Sequence, residues 1–255
     1  MDRLLKFEFR KLRSQKVFYI SLAIIFGYTL VSALIAKFTY DLAAQLAAEE
    51  GFIMPAISSA EQIMNAANGG LLTLLLAIAV PIIVTEDFDQ GIIKNIYAKG
   101  FSRGSVYFAK LIYAAACATA LFAAQILCTT FSFGIIYGFE WVGWKGFGLL
   151  WAQYLAYLAT FAFYFTISAS FKKVGSSIAI NIFIPSVIGL LLNLISLALA
   201  KEDFSLANYW IAALLPDLSE FAVTGERILE CIIASVVYIG AFITGGYFIN
   251  RNTEV

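Results

Sequence analysis

The sequence predicts an all-α membrane protein with about six transmembrane helices, and three observations support that fold class. Hydrophobic residues make up 61% of the 255 residues, and the mean hydropathy is +0.85. Charged residues make up only 13%, about half the share that a soluble protein carries. A spanning helix needs about 20 apolar residues, so the chain has room for about six spans and their connections. We expect a single transmembrane domain over residues 1–255.

Residues 1–16 predict a basic amphipathic helix that lies in the membrane interface on an anionic leaflet. Basic residues share one face at helical spacing: Arg3, Lys6, Arg10 and Arg13. Apolar residues gather on the opposite face: Met1, Leu4, Leu5, Phe7 and Leu12. Glu8 and Lys11 interrupt that apolar face. The alternative is a plain positively charged anchor in front of the first span.

Long apolar runs predict where the chain crosses the membrane. We place the spans at residues 17–36, 69–85, 111–137, 147–171, 176–200 and 228–249. The stretch between the first two spans is mixed in composition and suggests short amphipathic helices at the surface. Residues 206–216 are apolar but too short to cross, so we expect a surface or re-entrant piece there, with its backbone covered by protein.

Basic residues predict the orientation of the chain. If the N-terminus is cytoplasmic, 13 of the 17 Lys and Arg residues fall on the inside. An excess of Lys and Arg marks cytoplasmic loops. We therefore expect a multi-pass protein of a bacterial cell membrane with both termini in the cytoplasm and with membrane lipid as a partner.

The composition argues against an enzyme. The sequence has no His and no G-x-x-x-x-G-K-[ST] phosphate-binding loop. No adjacent Asp pair and no Ser–Lys dyad lies deep in a predicted span, so nucleophilic and metal chemistry have no residues to use. We expect no catalytic site, no metal site, no cofactor bound by this chain and no nucleic-acid partner.

The connection between the second and third spans, residues 86–110, is the most informative stretch. It reads EDFDQGIIKNIYAKGFSRGSVYFAK. Glycine bends flank a short segment with a stripe of apolar residues that we expect to be exposed: Ile92, Ile93, Ile96 and Tyr97. Such a segment suits docking into a groove on a cytoplasmic partner, and the alternative is a solvated loop. The residues we expect to serve coupling are Glu86, Asp87, Gly91, Ile92, Lys94, Ile96 and Arg103.

This stretch, with the order of elements around it, resembles the permease subunits of ABC-2-type ATP-driven exporters. The residues that carry the resemblance are Glu86, Asp87, Gly91, Ile92, Lys94, Gly100, Ser102, Arg103 and Lys110. The family more often has Thr at the position of Ile92. In topology the resemblance covers the whole chain.

The resemblance implies a dimer, either of two identical permeases or of two related ones, that binds two cytoplasmic ATPase subunits. ATP and Mg would be bound by those subunits. Residues 86–110 would form the coupling helix, and the first and fifth spans of both copies would line a central path. Similar small permeases move amphipathic or hydrophobic cargo such as peptide toxins, bacteriocins or antibiotics.

Polar residues inside the predicted spans are few, and amides there need partners. On the fifth span, residues at spacings of four share roughly one face, which we expect to be the path or the dimer seam: Asn181, Pro185, Gly189 and Asn193. The alternative is packing within one chain. Gln125 and Gln153 are expected to tie helices together, and the alternative is that they face the translocation path. Gly240, Thr244 and Gly245 on the sixth span are expected to permit close helix packing.

Two other functions remain open from the residues. A secondary transporter would need ionisable residues near the membrane midplane and paired broken helices, and neither is evident. A non-transporting immunity or sensor scaffold on the same fold is a further alternative that the sequence allows. Co-purification of an ATPase would favour the exporter.

Overall fold

The computed structural model describes residues 2–12, 15–49, 51–68, 70–198, 206–219 and 223–252, without the side chains at positions 2, 3 and 252. Helices dominate this part of the chain, and it contains no strand. The helices are α1 Asp2–Lys11, α2 Lys16–Glu49, α3 Ser59–Asn65, α4 Gly70–Asp89, α5 Ile92–Ala98, α6 Arg103–Tyr137, α7 Gly143–Phe171, α8 Val174–Ala198, α9 Ile211–Asp217 and α10 Gly225–Asn252. A 3-10 turn over Leu206–Tyr209 precedes α9.

Six segments are long and apolar enough to cross a membrane, as the sequence predicts. They are α2, the stretch from α3 through α4, α6, α7, α8 and α10. The ends of two predicted spans, position 69 and positions 199–200, lie outside the described residues.

The first helix is longer than expected, which corrects the prediction that short surface helices begin at residue 37; a short helix, α3, does follow further along that stretch. Helix α2 continues without a break to Glu49. Residues 37–49 contain four Ala and no Gly or Pro, so nothing in them ends a helix. The stop comes at Gly51, whose φ is +80°, and the Phe52 N–H donates to the Ala47 carbonyl at 2.8 Å, as a glycine-terminated helix requires.

Helix α7 lies at the centre of the fold. It packs against α4, α6, α8, α9 and α10, whereas α2 packs mainly on α6. Buried aromatic residues line its second half: Tyr157, Phe161, Phe163, Tyr164 and Phe165. Helices α2, α8 and α10 instead leave broad apolar faces uncovered, with side chains such as Phe26, Leu190 and Val237 more than half exposed. Faces of this kind need lipid or another protein chain over them.

The apolar stretch that is too short to cross is indeed buried by its neighbours. Helix α9 and the turn before it pack against α7, α8 and α10, and Ile211 and Leu214 are buried. The Trp210 indole Nε1 donates to the Pro185 carbonyl of α8 at 2.8 Å. The segment therefore has the protein cover that non-helical backbone needs at membrane depth.

The close contact of α10 with its neighbours lies at Gly246, one position beyond the pair expected from the sequence. A Cβ atom at Gly246 would stand 2.6 Å from the Tyr107 hydroxyl and 3.0 Å from Thr166 Oγ1. Nothing lies within 4 Å of a Cβ at Gly240 or Gly245. Within the chain, the close approach of α10 is therefore made at Gly246, because a glycine run does not reveal which face meets the neighbouring helices.

Candidate functional site

Helices α1 and α5 and the start of α6 form a second, smaller core at one end of the bundle. Leu4 of α1 packs there against Ile93 and Ile96 of α5 and against Val106 and Ala109 of α6. This cluster joins the chain's first helix to the connection between α4 and α6. The predicted interfacial helix and the predicted coupling segment are therefore parts of one packed unit.

A buried cluster of four charges ties this unit to the transmembrane helices. The carboxylate of Asp87, at the end of α4, accepts hydrogen bonds from Lys11 of α1 and from Lys110 of α6. The carboxylate of Glu8 lies 3.8 Å from the Lys11 ammonium and 3.7 Å from that of Lys110. Glu8 and Asp87 are each 1% exposed and Lys110 is 3% exposed. Two negative and two positive charges balance, which is the condition under which charges tolerate burial.

Glu86 lies beside this cluster but has different partners. One carboxylate oxygen accepts from the Gln15 amide at 2.8 Å, and the other accepts from the Gln90 amide at 3.3 Å. The three residues border a cavity of about 390 Å³ that also contacts Lys16 and Ile92. Glu86 thus fixes the connection between α1 and α2 onto the end of α4.

Two glycines bound the short helix α5. Gly91 before it has φ +70° and Gly100 after it has φ +84°, a conformation that glycine adopts without strain. Between them, Ile93 and Ile96 point inward, while Lys94, Asn95 and Lys99 are exposed.

The apolar stripe expected to be exposed on this segment is therefore mostly covered, which corrects that part of the prediction. Ile93 and Ile96 are buried, and Ile92 and Tyr97 are half-buried. The stripe faces inward because Leu4, far away in sequence, supplies an apolar surface to cover it. Burial also raises the pKa of the Tyr97 phenol. The surface that α5 presents is polar and basic.

The start of α6 connects this unit to the ends of other helices. Ser102 caps α6 by accepting from the Ser105 N–H at 3.2 Å. The Arg103 guanidinium donates to the Arg251 carbonyl at 3.3 Å, at the end of α10. Burial, and then the charge of Arg103, lower the pKa of Lys172 in the link between α7 and α8.

The predicted interfacial residues stand in different positions. Lys6, Phe7 and Arg10 are exposed on α1. The side chain of Arg3, and Arg13 as a whole, lie outside the described residues. Glu8 and Lys11, which interrupt the apolar face, are the residues that reach Asp87 and Lys110. Their spacing of three on an otherwise apolar helix face was the available signal for a buried partner.

The four residues predicted to share a face of α8 do not share one environment. Asn181 and Pro185 are buried, Gly189 is half-buried and Asn193 is exposed. Both amide atoms of Asn181 are buried without a hydrogen-bond partner in the described structure.

The amide of Gln153 ties elements together, as the sequence analysis expects. It donates to the Met64 carbonyl at 3.0 Å and to the Leu218 carbonyl at 2.8 Å. It therefore joins α7 to α3 and to the end of α9.

The fold and the packed end unit define the class of the protein: a multi-pass α-helical membrane protein without strands in its described part. Residues 4–199 match the model of a family described as ABC-2 family transporter protein. The chain therefore belongs to the ABC-2 family of transporter membrane proteins, whose members are transport subunits that generally pair with an ATPase subunit. No curated protein and no solved structure matches the chain.

Proposed function

We propose that this protein is the permease subunit of an ABC exporter, driven by ATP that a separate cytoplasmic ATPase binds with Mg and hydrolyses. The observation that carries the proposal is the balanced cluster of Glu8, Lys11, Asp87 and Lys110. It joins α1, the end of α4 and the start of α6. Helix α5, which lies between α4 and α6 in the chain, is therefore attached to two spanning helices.

The ATPase docks on the exposed surface of α5. Lys94 and Asn95 point outward from a helix of seven residues between two glycine bends. Because Ile93 and Ile96 are packed against α1 and α6, a displacement of α5 reaches the spans as movement of a rigid unit. ATP-driven closure of the ATPase then shifts the balance between two states of the bundle.

The end that carries α1 and α5 faces the cytoplasm. The Arg103 contact with Arg251 brings the end of α10 to the same end as the start of α6, which supports placing α1 and the end of α10 on one side of the membrane. The basic residues concentrate on the connections at this end, in agreement with the positive-inside rule.

A second permease copy covers part of the bare faces of α2, α8 and α10. Asn193 supports this choice because it is an exposed amide on a spanning helix. An amide in hydrocarbon needs a partner, and a second copy of the permease or a related chain supplies one.

The cargo is amphipathic or hydrophobic, such as a peptide toxin, a bacteriocin or an antibiotic. Ionisable groups in the described spans gather near the helix ends, as in the four-charge cluster, whereas α7 is lined by aromatic and small residues in its middle. A path between such helices suits cargo with few charges.

The proposal is tested by co-expressing the chain with its candidate ATPase and measuring ATP-dependent uptake of a fluorescent amphipathic peptide into inverted vesicles. Lys94→Glu should lower co-purification of the ATPase, and Glu86→Ala or Arg103→Glu should uncouple hydrolysis from uptake while the protein still inserts. Lys145→Glu is the matched control, because Lys145 is an exposed lysine in the first turn of α7. Normal uptake in all three variants, or uptake without any ATPase, would refute the proposal.

A further inference from the structure

A polar cavity lies in the half of the bundle remote from α1 and α5. It has a volume of about 280 Å³ and lies between α2, α3, α4 and α6. Its lining includes hydroxyl and amide side chains and no Asp, Glu, Lys or Arg. The hydroxyl and amide residues are Thr29, Ser32, Gln62, Asn65, Asn68, Gln125 and Thr129. Neutral polar side chains on spanning helices need hydrogen-bond partners, and here several of them border one cavity.

The hydroxyls of α2 can offer only acceptor sites to this cavity. Thr29 Oγ1 donates to the Phe26 carbonyl at 3.0 Å, and Ser32 Oγ donates to the Thr29 carbonyl at 2.9 Å. Each hydroxyl has one hydrogen to donate and two lone pairs. Because these hydrogens are used within the helix, the remaining lone pairs can accept from an O–H or N–H group.

Gln125 supplies the second observation. Its side chain is 3% exposed, and its Oε1 atom is buried without a hydrogen-bond partner. A buried amide oxygen without a donor costs free energy. The terminal torsion of Gln is soft, so the amide can turn its oxygen or its nitrogen toward a bound group.

The remaining lining is apolar, and the cavity reaches the surface. Leu71, Leu72 and Phe133 form apolar walls, while Tyr28 and Asn65 on its border are exposed. Helix α3 closes one side and is held in place by the bond of Gln153 to the Met64 carbonyl. The volume is near the lower limit of ligand pockets, about 300 Å³, so it fits a small molecule or one polar group of a larger one.

We propose that this cavity is a binding site for uncharged amphipathic molecules that carry a hydroxyl or an amide N–H. The O–H or N–H of the molecule donates to one of the acceptors that Thr29, Ser32 and Gln125 offer, and its apolar part lies against Leu71 and Phe133. The inference goes beyond the proposed function, because it requires neither ATP nor a partner subunit.

The test uses the purified full chain in lipid nanodiscs and a medium-chain alcohol that carries a photoreactive diazirine. We expect saturable labelling of residues that border the cavity, identified by mass spectrometry of the labelled peptides. Gln125→Leu and Thr29→Val should each lower that labelling about two- to tenfold, the effect of one lost hydrogen bond. Thr39→Val is the matched control, because Thr39 also donates to its own helix, at 2.9 Å to the Ile35 carbonyl, and does not line the cavity.

The methyl ether of the same probe separates recognition of the donor from partition into an apolar space. The ether should label the cavity weakly, since it has no hydrogen to donate. Equal labelling by alcohol and ether, unchanged labelling in both cavity variants, or a cavity that takes up water only would overturn the proposal. Melting temperatures confirm that each variant is folded, and Thr29→Val, which is isosteric, keeps the test valid if Gln125→Leu unfolds.

Discussion

Replacing Asp87 with Asn tests whether the buried charges hold α1 to the transmembrane helices. The substitution keeps the shape of the side chain and removes one negative charge from a cluster whose charges balance. It leaves Lys11 and Lys110 against a single carboxylate, that of Glu8, whose distances of 3.8 and 3.7 Å are too long for hydrogen bonds.

The size of the effect follows from how deeply these groups are buried. Removing one partner of a buried ion pair costs about 3–5 kcal/mol. The side chain of Lys11 is 19% exposed, so water recovers part of its hydration and the lower figure applies. We expect a loss of about 3 kcal/mol, which corresponds to roughly a 100-fold increase in the opening of α1.

Hydrogen–deuterium exchange of the α1 backbone amides measures this opening directly. The double variant Asp87→Asn with Lys110→Met restores the balance, because it leaves Glu8 paired with Lys11. It should recover much of the protection that the single variant loses. Unchanged exchange in Asp87→Asn, or losses that simply add in the double variant, would refute the idea that the four charges act as a unit.

Three further predictions concern other parts of the fold. Gln153→Leu leaves two buried carbonyls without their donor and should lower stability by about 2–4 kcal/mol, measured as a fall in melting temperature. Gly246→Ala should lower stability by about 1–3 kcal/mol, because its Cβ meets a tyrosine hydroxyl at 2.6 Å; Gly245→Ala should have little effect. Bonds from Ser58 and the Ala60 N–H lower the pKa of Glu140, so the stability that Glu140 adds is present at neutral pH and is lost as the pH falls through that lowered pKa.

The same melting assay gives the results that would contradict these three predictions. Equal melting temperatures for the two glycine variants would show that the contact around Gly246 relaxes freely. A Gln153→Leu variant as stable as the wild type would show that its two bonds are dispensable. For Glu140, the difference from Glu140→Gln should shrink on acidification, and a constant difference would contradict the assigned bonds.

The spans could be predicted from the sequence because apolar runs report directly on burial in lipid. The extent of α2 could not be predicted in this way. Charged residues such as Lys37 and Asp41 suggested that the helix ends near residue 36, but the high helix propensity of residues 37–49 continues it to Glu49. The inward face of α5 was also missed. The pattern places Ile93 and Ile96 on one side, but the residue that covers them, Leu4, lies far away in the chain.

The motif of the predicted coupling segment could be recognised without knowledge of what its residues do. The structure supplies physical reasons: Gly100 adopts a positive φ, Ser102 caps α6 and Lys110 pairs with Asp87. The partners of Glu8 and Lys11 could not be read from α1 alone, because contacts between distant segments leave no local periodicity. A polar pair on an apolar helix face nevertheless indicates that a partner of opposite charge is needed.

The length of α2 has a mechanical consequence. Its 34 residues span about 51 Å at a rise of 1.5 Å per residue, against a hydrocarbon layer of about 30 Å. Even a tilt of about 40° leaves it roughly 39 Å tall, so a helix of this length extends beyond the hydrocarbon layer by at least about 9 Å. At that length, a swing of about 10° about one end would carry the other end through roughly 9 Å.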